Sequence, residues 1–116
     1  MLFVQYPKCS TCKKAKKWLD EHDVNYTDRN IAEDNPKYEE LKEWYKKSGL
    51  PLKKFFNTCG LVYKEMGLKD KVSGMSEEEM LNLLSQNGML VKRPILVTDD
   101  KVLVGFKEAE YGNILN

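Results

Sequence analysis

Apolar positions along the chain fall into short runs and helical stripes, and their spacing divides it into a succession of short elements. Residues 2–6 form an apolar run stopped by Pro7, which predicts a first strand. Cys12, Ala15, Trp18, Leu19 and His22 then recur at the spacing of one helix face. They predict a helix from Ser10 or Thr11, either of which can cap it, to about His22, with Lys13, Lys14, Lys16 and Lys17 facing water. A second strand of mixed polarity is expected over 25–31. Asn35 before Pro36 supplies a capping side chain and then a proline at the first helical position. The helix they open carries a stripe of Tyr38, Leu41, Trp44 and Tyr45 and ends at Gly49. The pattern weakens over 50–67, where Phe55 and Phe56 read as buried and a short helix is expected over 61–66. Ser76 with Glu79 is a capping box for a helix with Met80, Leu81, Leu83 and Leu84 inside, closed by Asn87-Gly88. Residues 94–97 predict an apolar strand, Asp99-Asp100 a turn, 101–104 a partner strand and 108–115 a last helix.

The order β-α-β-α-(α)-α-β-β-α limits the topology. A βαβ unit needs a parallel pair with a right-handed crossover. The last two strands, joined by a tight turn, must run antiparallel. One mixed four-stranded sheet with helices on its faces satisfies both conditions, an α/β fold built as a single domain over 1–116.

Composition excludes more than it selects. Nineteen basic and 18 acidic residues leave a net charge of +1, which offers no general attraction to nucleic acid or to a membrane surface. No apolar run approaches the ~20 residues that span a bilayer. The chain opens on an apolar strand rather than a charged leader, so a cytoplasmic location is expected. Three cysteines are too few for a disulfide scaffold, and in a reducing compartment close spacing points to redox, catalytic or metal chemistry.

Cys9-Ser10-Thr11-Cys12 lies where the first strand gives way to the first helix. A thiolate is the nucleophile in thiol chemistry, and the free N–H groups and dipole at a helix start favour it. Lys8, Lys13 and Lys14 add positive charge, screened by solvent. Cys9, just outside the helix, is the expected attacker, and Cys12, one turn in, is placed to resolve a mixed disulfide. A structural zinc site would need further ligands. His22 is ten residues beyond Cys12 on the same helix, roughly 15 Å away at about 1.5 Å per residue, so it cannot share a metal with the pair. No metal is expected, and His22 reads as a packed or solvent-tipped helix-end residue. Cys59 is either a small core residue or a third redox thiol.

The strand order, with a cysteine pair between the first strand and helix, is that of the thioredoxin-like fold. In that fold a proline opening the third strand sits beside the cysteine loop, often after a cis peptide bond. Pro94 fits this place, and Arg93 would then project toward the thiols, where its guanidinium can hold an oxyanion or a carboxylate. The alternative is a surface arginine.

Three segments together, Tyr6-Pro7-Lys8-Cys9-Ser10-Thr11-Cys12-Lys13-Lys14-Ala15, Lys92-Arg93-Pro94-Ile95-Leu96-Val97 and Val104-Gly105-Phe106, resemble the arsenate reductase–Spx family along essentially the whole chain. The resemblance implies a thioredoxin-like fold with a helical insertion, matching about 36–88 here. It aligns Cys9 with the family's nucleophile and Arg93 with one of its anion-binding arginines. Ser10, Thr11 and Pro94 border these groups and are the expected substrate-binding positions. The glutaredoxin-linked reductases use one cysteine and three arginines; this chain has Cys12 as a second cysteine, and Asn57 and Gly105 at the other two arginine positions. Spx regulators share the CxxC and the Arg-Pro strand but carry a further arginine near the position of Cys59 and usually a longer tail. The resemblance is nearest to short CxxC members described as arsenate reductase-like or glutaredoxin-like. It implies thiol–disulfide exchange or oxyanion reduction with no bound cofactor, and glutathione, glutaredoxin or thioredoxin as reductant. The alternative it implies is a redox-switched regulator that binds the RNA polymerase α-subunit, without direct contact to nucleic acid.

Overall fold

A computed structural model describes residues 1–58 and 60–114. Strands β1 (Leu2–Gln5), β2 (Thr27–Asn30), β3 (Ile95–Val97) and β4 (Val102–Val104) form one sheet in the order β2-β1-β3-β4. β1 pairs parallel with β2 and antiparallel with β3, and β3 pairs antiparallel with β4. This is the expected mixed α/β sheet of the thioredoxin-like fold.

Helices cover both faces. The central strands are apolar on both sides, as a doubly covered sheet requires. Phe3 and Leu96 point toward α1 (Ser10–Glu21) and α6 (Glu108–Ile114), where Ala15, Leu19 and Tyr111 complete a small core. Val4, Ile95 and Val102 point the other way, into a larger core built with α2 (Tyr38–Ser48), α3 (Leu61–Glu65), α4 (Leu68–Lys71) and α5 (Glu77–Gln86). Leu41 and Trp44 of α2, the buried Phe55 and Phe56, and Met80, Leu81 and Leu84 of α5 fill it. These helices between β2 and β3 correspond to the expected insertion. α4 and the short 3₁₀ turn Leu52–Phe55 lacked enough periodicity to be foreseen.

Several local expectations are corrected. Neither Ser10 nor Thr11 caps α1; the cap position is Cys9 itself. The buried stripe of α1 is Cys12, Ala15 and Leu19, and Trp18 is only half-buried. His22 leaves that face because the helix stops at Glu21. Its ring stacks on Trp18 at 3.9 Å, and its Nδ1 lies 2.8 Å from the Trp18 carbonyl oxygen. Asn35 does not cap α2, which starts after Lys37. Its amide donates to the Pro36 and Ser85 carbonyls, tying the approach of α2 to the end of α5. The cap is made by Glu40, whose carboxylate accepts the Lys37 N–H at 3.0 Å. Ser76 caps α5 as expected, accepting the Glu79 N–H. Leu83 lies at the core margin rather than inside it. Cys59 and Leu115, on which expectations were also placed, lie outside the described residues.

Candidate functional site

The end of β1 sets the first cysteine. Cys9 N–H donates to the Tyr6 carbonyl at 2.9 Å, closing a turn through Pro7 and Lys8, and Cys9 then takes extended angles (φ −87°, ψ 124°). Its carbonyl accepts the Lys13 N–H at 3.1 Å, so its backbone begins α1 while its side chain stays outside. Among the described residues its side chain makes no capping hydrogen bond, but the Thr11 and Cys12 amides face it. Those donors are the orphans of the first helical turn, which an anion satisfies best.

One turn on, Cys12 is fully buried, and its Sγ accepts the Tyr6 N–H at 3.5 Å. The environment drives the two thiols apart. Partial burial pushes Cys9 up, but the Cys12 amide, a hydrogen bond with the Cys12 side chain, the Thr11 amide and the Arg93 charge together outweigh it, leaving Cys9 below its ordinary value. Burial pushes Cys12 up to about 12, and the neighbouring Cys9 adds to this. One thiol is thus prepared to ionise and the other is held neutral beneath it, the division of labour of an attacking and a resolving cysteine.

Arg93 meets the pair from the start of β3. The Arg93–Pro94 peptide bond is cis. The guanidinium lies over the Tyr6 ring, with Cζ 5.1 Å from its centroid, a cation–π arrangement. Its Nη1 lies 3.5 Å from the Met89 and Val91 carbonyls, at the outer limit of hydrogen bonding. Its Nε is buried and has no partner among the described residues. Pro94 is buried, and its carbonyl accepts the Gly105 N–H at 2.8 Å.

The sequence-predicted residues therefore converge. Cys9, Cys12, Arg93 and Pro94 meet at one end of β1 and β3, with Ser10 and Thr11 exposed on the first turn of α1 beside them. Asn57 donates its N–H to the Leu90 carbonyl at 2.7 Å, on the segment leading to Arg93. Gly105 has φ +83°, a backbone that side chains rarely adopt, so an arginine there would require another local conformation. Among the described residues no group of three or more His, Cys, Asp or Glu is arranged to hold a metal. No described helix is long and apolar enough to cross a membrane. Sequence reasoning missed Tyr6 as a participant. Its amide reaches Cys12 and its ring carries Arg93, and its only advance signal is its place just before Pro7 in the cysteine segment.

Comparisons with known proteins place the chain in a family. Residues 4–114 match the ArsC family. The chain is 55% identical over 111 residues to the uncharacterized protein YusI of Bacillus subtilis, covering 96% of this chain and 94% of that one. It is 29% identical to the global transcriptional regulator Spx of Staphylococcus epidermidis, covering 94% and 82%. Among solved structures, an ArsC family related protein of Bacteroides fragilis superposes with a TM-score of 0.96 at 59% identity, covering 97% and 95%. A possible arsenate reductase of Streptococcus mutans gives 0.90 at 43%, covering 99% and 97%. The matched span takes in the cysteine pair, the Arg93-Pro94 strand and the helices between them, and the chain belongs to the ArsC family.

Proposed function

We propose that this chain is a cytoplasmic, single-domain thiol redox protein that works through Cys9, with Cys12 resolving and Arg93 steadying an anionic group. The observation that carries the reading is the placement of the two sulfurs: Cys9 is partly exposed at the cap of α1, where the first amides favour its thiolate, and Cys12 is fully buried one turn behind, where burial pushes its thiol up. The Cys9 thiolate attacks a sulfur of a substrate disulfide, forms a mixed disulfide and releases one thiolate. Cys12 gives its proton to solvent and attacks the Cys9 sulfur. The Cys9–Cys12 disulfide forms, the second substrate thiolate leaves, and two electrons have passed to the substrate. Glutathione, glutaredoxin or thioredoxin returns the pair to the dithiol. Ser10 and Thr11 line the approach and Pro94 backs it. With one arginine in place of three, a doubly charged oxyanion is held weakly, since each charge-assisted hydrogen bond contributes about 1.5–3 kcal/mol.

The test is alkylation of Cys9 by iodoacetamide across pH 5–10, read by mass spectrometry of its peptide. Half-reaction is expected below the ordinary thiol range. A Cys9 that titrates at or above that range sinks the reading.

The similarity to Spx supports a second reading, a regulator switched by the Cys9–Cys12 oxidation state and docked on the RNA polymerase α-subunit. Turnover of arsenate with glutaredoxin favours the reductase. Binding to the α-subunit that changes on oxidation and is lost in Cys12→Ser favours the switch.

A further inference from the structure

Tyr6 meets each of the groups that carry the chemistry. Its carbonyl accepts the Cys9 N–H at 2.9 Å, and its own N–H donates to the Cys12 Sγ at 3.5 Å. The backbone of Tyr6 is therefore in register with both sulfurs. Its half-buried ring packs against the larger core, and the Arg93 Cζ lies 5.1 Å from the ring centroid. Little else holds that guanidinium. Among the described residues its Nε has no partner, its Nη1 is 3.5 Å from two carbonyls, and its Nη2 makes no hydrogen bond. Nor does Arg93 pair with a carboxylate among the described residues, whereas Arg29 pairs with both Asp34 and Glu40.

We propose that Tyr6 is a positioning residue for Arg93: its ring holds the guanidinium beside the cysteine pair without using the N–H donors, which stay available to an anionic group on the incoming disulfide. The inference rests on the reading that Arg93 steadies such a group. A ring attracts the cation as a whole, through its quadrupole. A carboxylate is held through the N–H donors in the guanidinium plane. The ring therefore fixes the place of the charge and leaves its directional bonds to the substrate. A cage of carbonyls would fix it equally well and use those bonds up. The class favoured is a disulfide with a carboxylate or similar oxyanion near its sulfur. Toward a neutral disulfide Arg93 has nothing to grip, and Tyr6 then acts only through its backbone. The bonds to Cys9 and Cys12 are backbone bonds on the Tyr6 side, so a different side chain at this position leaves them in place.

The experiment compares two disulfides on the same thiol, in full-length protein carrying Cys59→Ser so that Cys9 and Cys12 are its only cysteines. Stopped flow follows the first aromatic thiolate released from 5,5′-dithiobis(2-nitrobenzoate), which carries carboxylates, and from 4,4′-dithiodipyridine, which is neutral. In each reaction the Cys9 thiolate attacks one sulfur, the S–S bond breaks, a mixed disulfide forms and one aromatic thiolate leaves. The ratio of the two rates reads the grip on the anion. It cancels a change in the Cys9 thiolate or in the folded fraction, since both probes meet the same protein. Arg93→Ala is expected to cut the ratio about fivefold, the upper range for a partly exposed ion pair. Tyr6→Leu should cut it about threefold, the size of a cation–π contact open to water. In the Arg93→Ala background Tyr6→Leu should cut it no further. Tyr6→Phe keeps the ring, and its ratio should stand well above that of Tyr6→Leu. An unchanged ratio in Tyr6→Leu overturns the inference. So does a loss that persists in the Arg93→Ala background, or one that Tyr6→Phe shows in equal measure. If Arg93→Ala itself leaves the ratio at the wild-type value, the reading of Arg93 as an anion-holding group fails, and the role of Tyr6 falls with it.

Discussion

The chain's two arginines stand in opposite circumstances. Arg29, on β2, is saturated. Its guanidinium forms a two-pronged pair with Glu40 of α2 at 2.6 and 3.0 Å, donates to the Asp34 and Asn35 carbonyls and lies over the Trp44 ring. Arg93 is also withdrawn from water at Nε, but that nitrogen has no acceptor among the described residues, and its Nη1 lies 3.5 Å from the Met89 and Val91 carbonyls. A buried, unsatisfied donor costs about 1–3 kcal/mol, more when charged. A fold that needed only a fastening would complete it as it completes Arg29. The first arginine clamps an edge strand to the insertion, and the second is held beside a thiol in need of a counter-charge.

The contrast predicts that chemistry and stability separate between the two ends. The largest effect belongs to Cys9→Ser. A serine hydroxyl does not ionise near neutral pH, so formation of a mixed disulfide at this position should stop altogether. Serine is also a preferred helix cap, where thiol-free capping contributes about 0.5–2 kcal/mol. The variant should therefore melt at or above the wild-type temperature. Retained mixed-disulfide formation, found by mass spectrometry at Cys12, would assign the attack to the wrong sulfur.

Arg29→Ala should do the reverse. Among the described residues it leaves Glu40 with the Lys37 N–H as its one hydrogen bond, and it uncovers the Trp44 ring. Breaking a fully buried pair costs about 3–5 kcal/mol; the Glu40 side chain is 35% exposed, so water compensates in part and about 2 kcal/mol is expected. Urea unfolding measures this, and Cys9 alkylation should be unchanged. A loss of thiol reactivity equal to the loss of stability would erase the distinction between the two ends.

Arg93→Ala sharpens the comparison from the other side. Its charge is the smallest of the named influences on Cys9, behind burial and the helix-start donors. Alkylation at pH 7 should slow by about two- to threefold, because removing the cation makes the Cys9 thiolate harder to form. Unfolding free energy should change by less than about 1 kcal/mol, because no well-made hydrogen bond is lost. A large destabilisation would make Arg93 a structural residue like Arg29.

The sequence disclosed the Arg93 end better than the Arg29 end, for a physical reason. The helix-start chemistry is local: two cysteines three residues apart, a strand before and a helix after, fix their own relation. The mixed four-stranded sheet follows from connection rules, and the position of Pro94 from the fold resemblance. Interactions across the chain were harder to read. The pairing of Arg29 with Glu40 joins two elements whose registers the pattern does not specify. Asn35 has every local mark of a cap, yet it is used 50 residues away at the end of α5, where the Ser85 carbonyl has a stronger claim on its amide. The last helix is expected over 108–115, and nothing in its spacing says that the Tyr111 hydroxyl ends beside Gly105. The shift of the α1 cap from Ser10 or Thr11 to Cys9 is a small difference of large consequence, since it aims the first amides of α1 at the Cys9 thiol.

The smallest expected effect is a difference in where the two ends respond to pH. The Arg29 guanidinium and the Lys37 amide, against some burial, hold Glu40 below the ordinary carboxylate value of 4.5. A group whose folded value is depressed contributes stability that is present above its unfolded value and lost as pH falls through the folded one. The stability gap between wild type and Arg29→Ala should therefore be constant near neutrality and narrow below about pH 4. The narrowing should be no more than about 1 kcal/mol, given the screening of a partly exposed carboxylate. Cys9 obeys the same sign rule in another window. Its thiol is depressed from 9.0, so its contribution is complete above that value and falls away as pH drops through the folded one. Cys9→Ser should thus lose a step that lies below pH 9.0 and leave the carboxylate limb untouched, whereas Arg29→Ala should alter that acid limb alone. Chemical unfolding of the three proteins from pH 3 to pH 9 resolves both. If the Arg29→Ala gap keeps its full size at pH 3, then packing on Trp44 rather than ionic pairing holds the edge strand, and the two arginines differ less than their surroundings indicate.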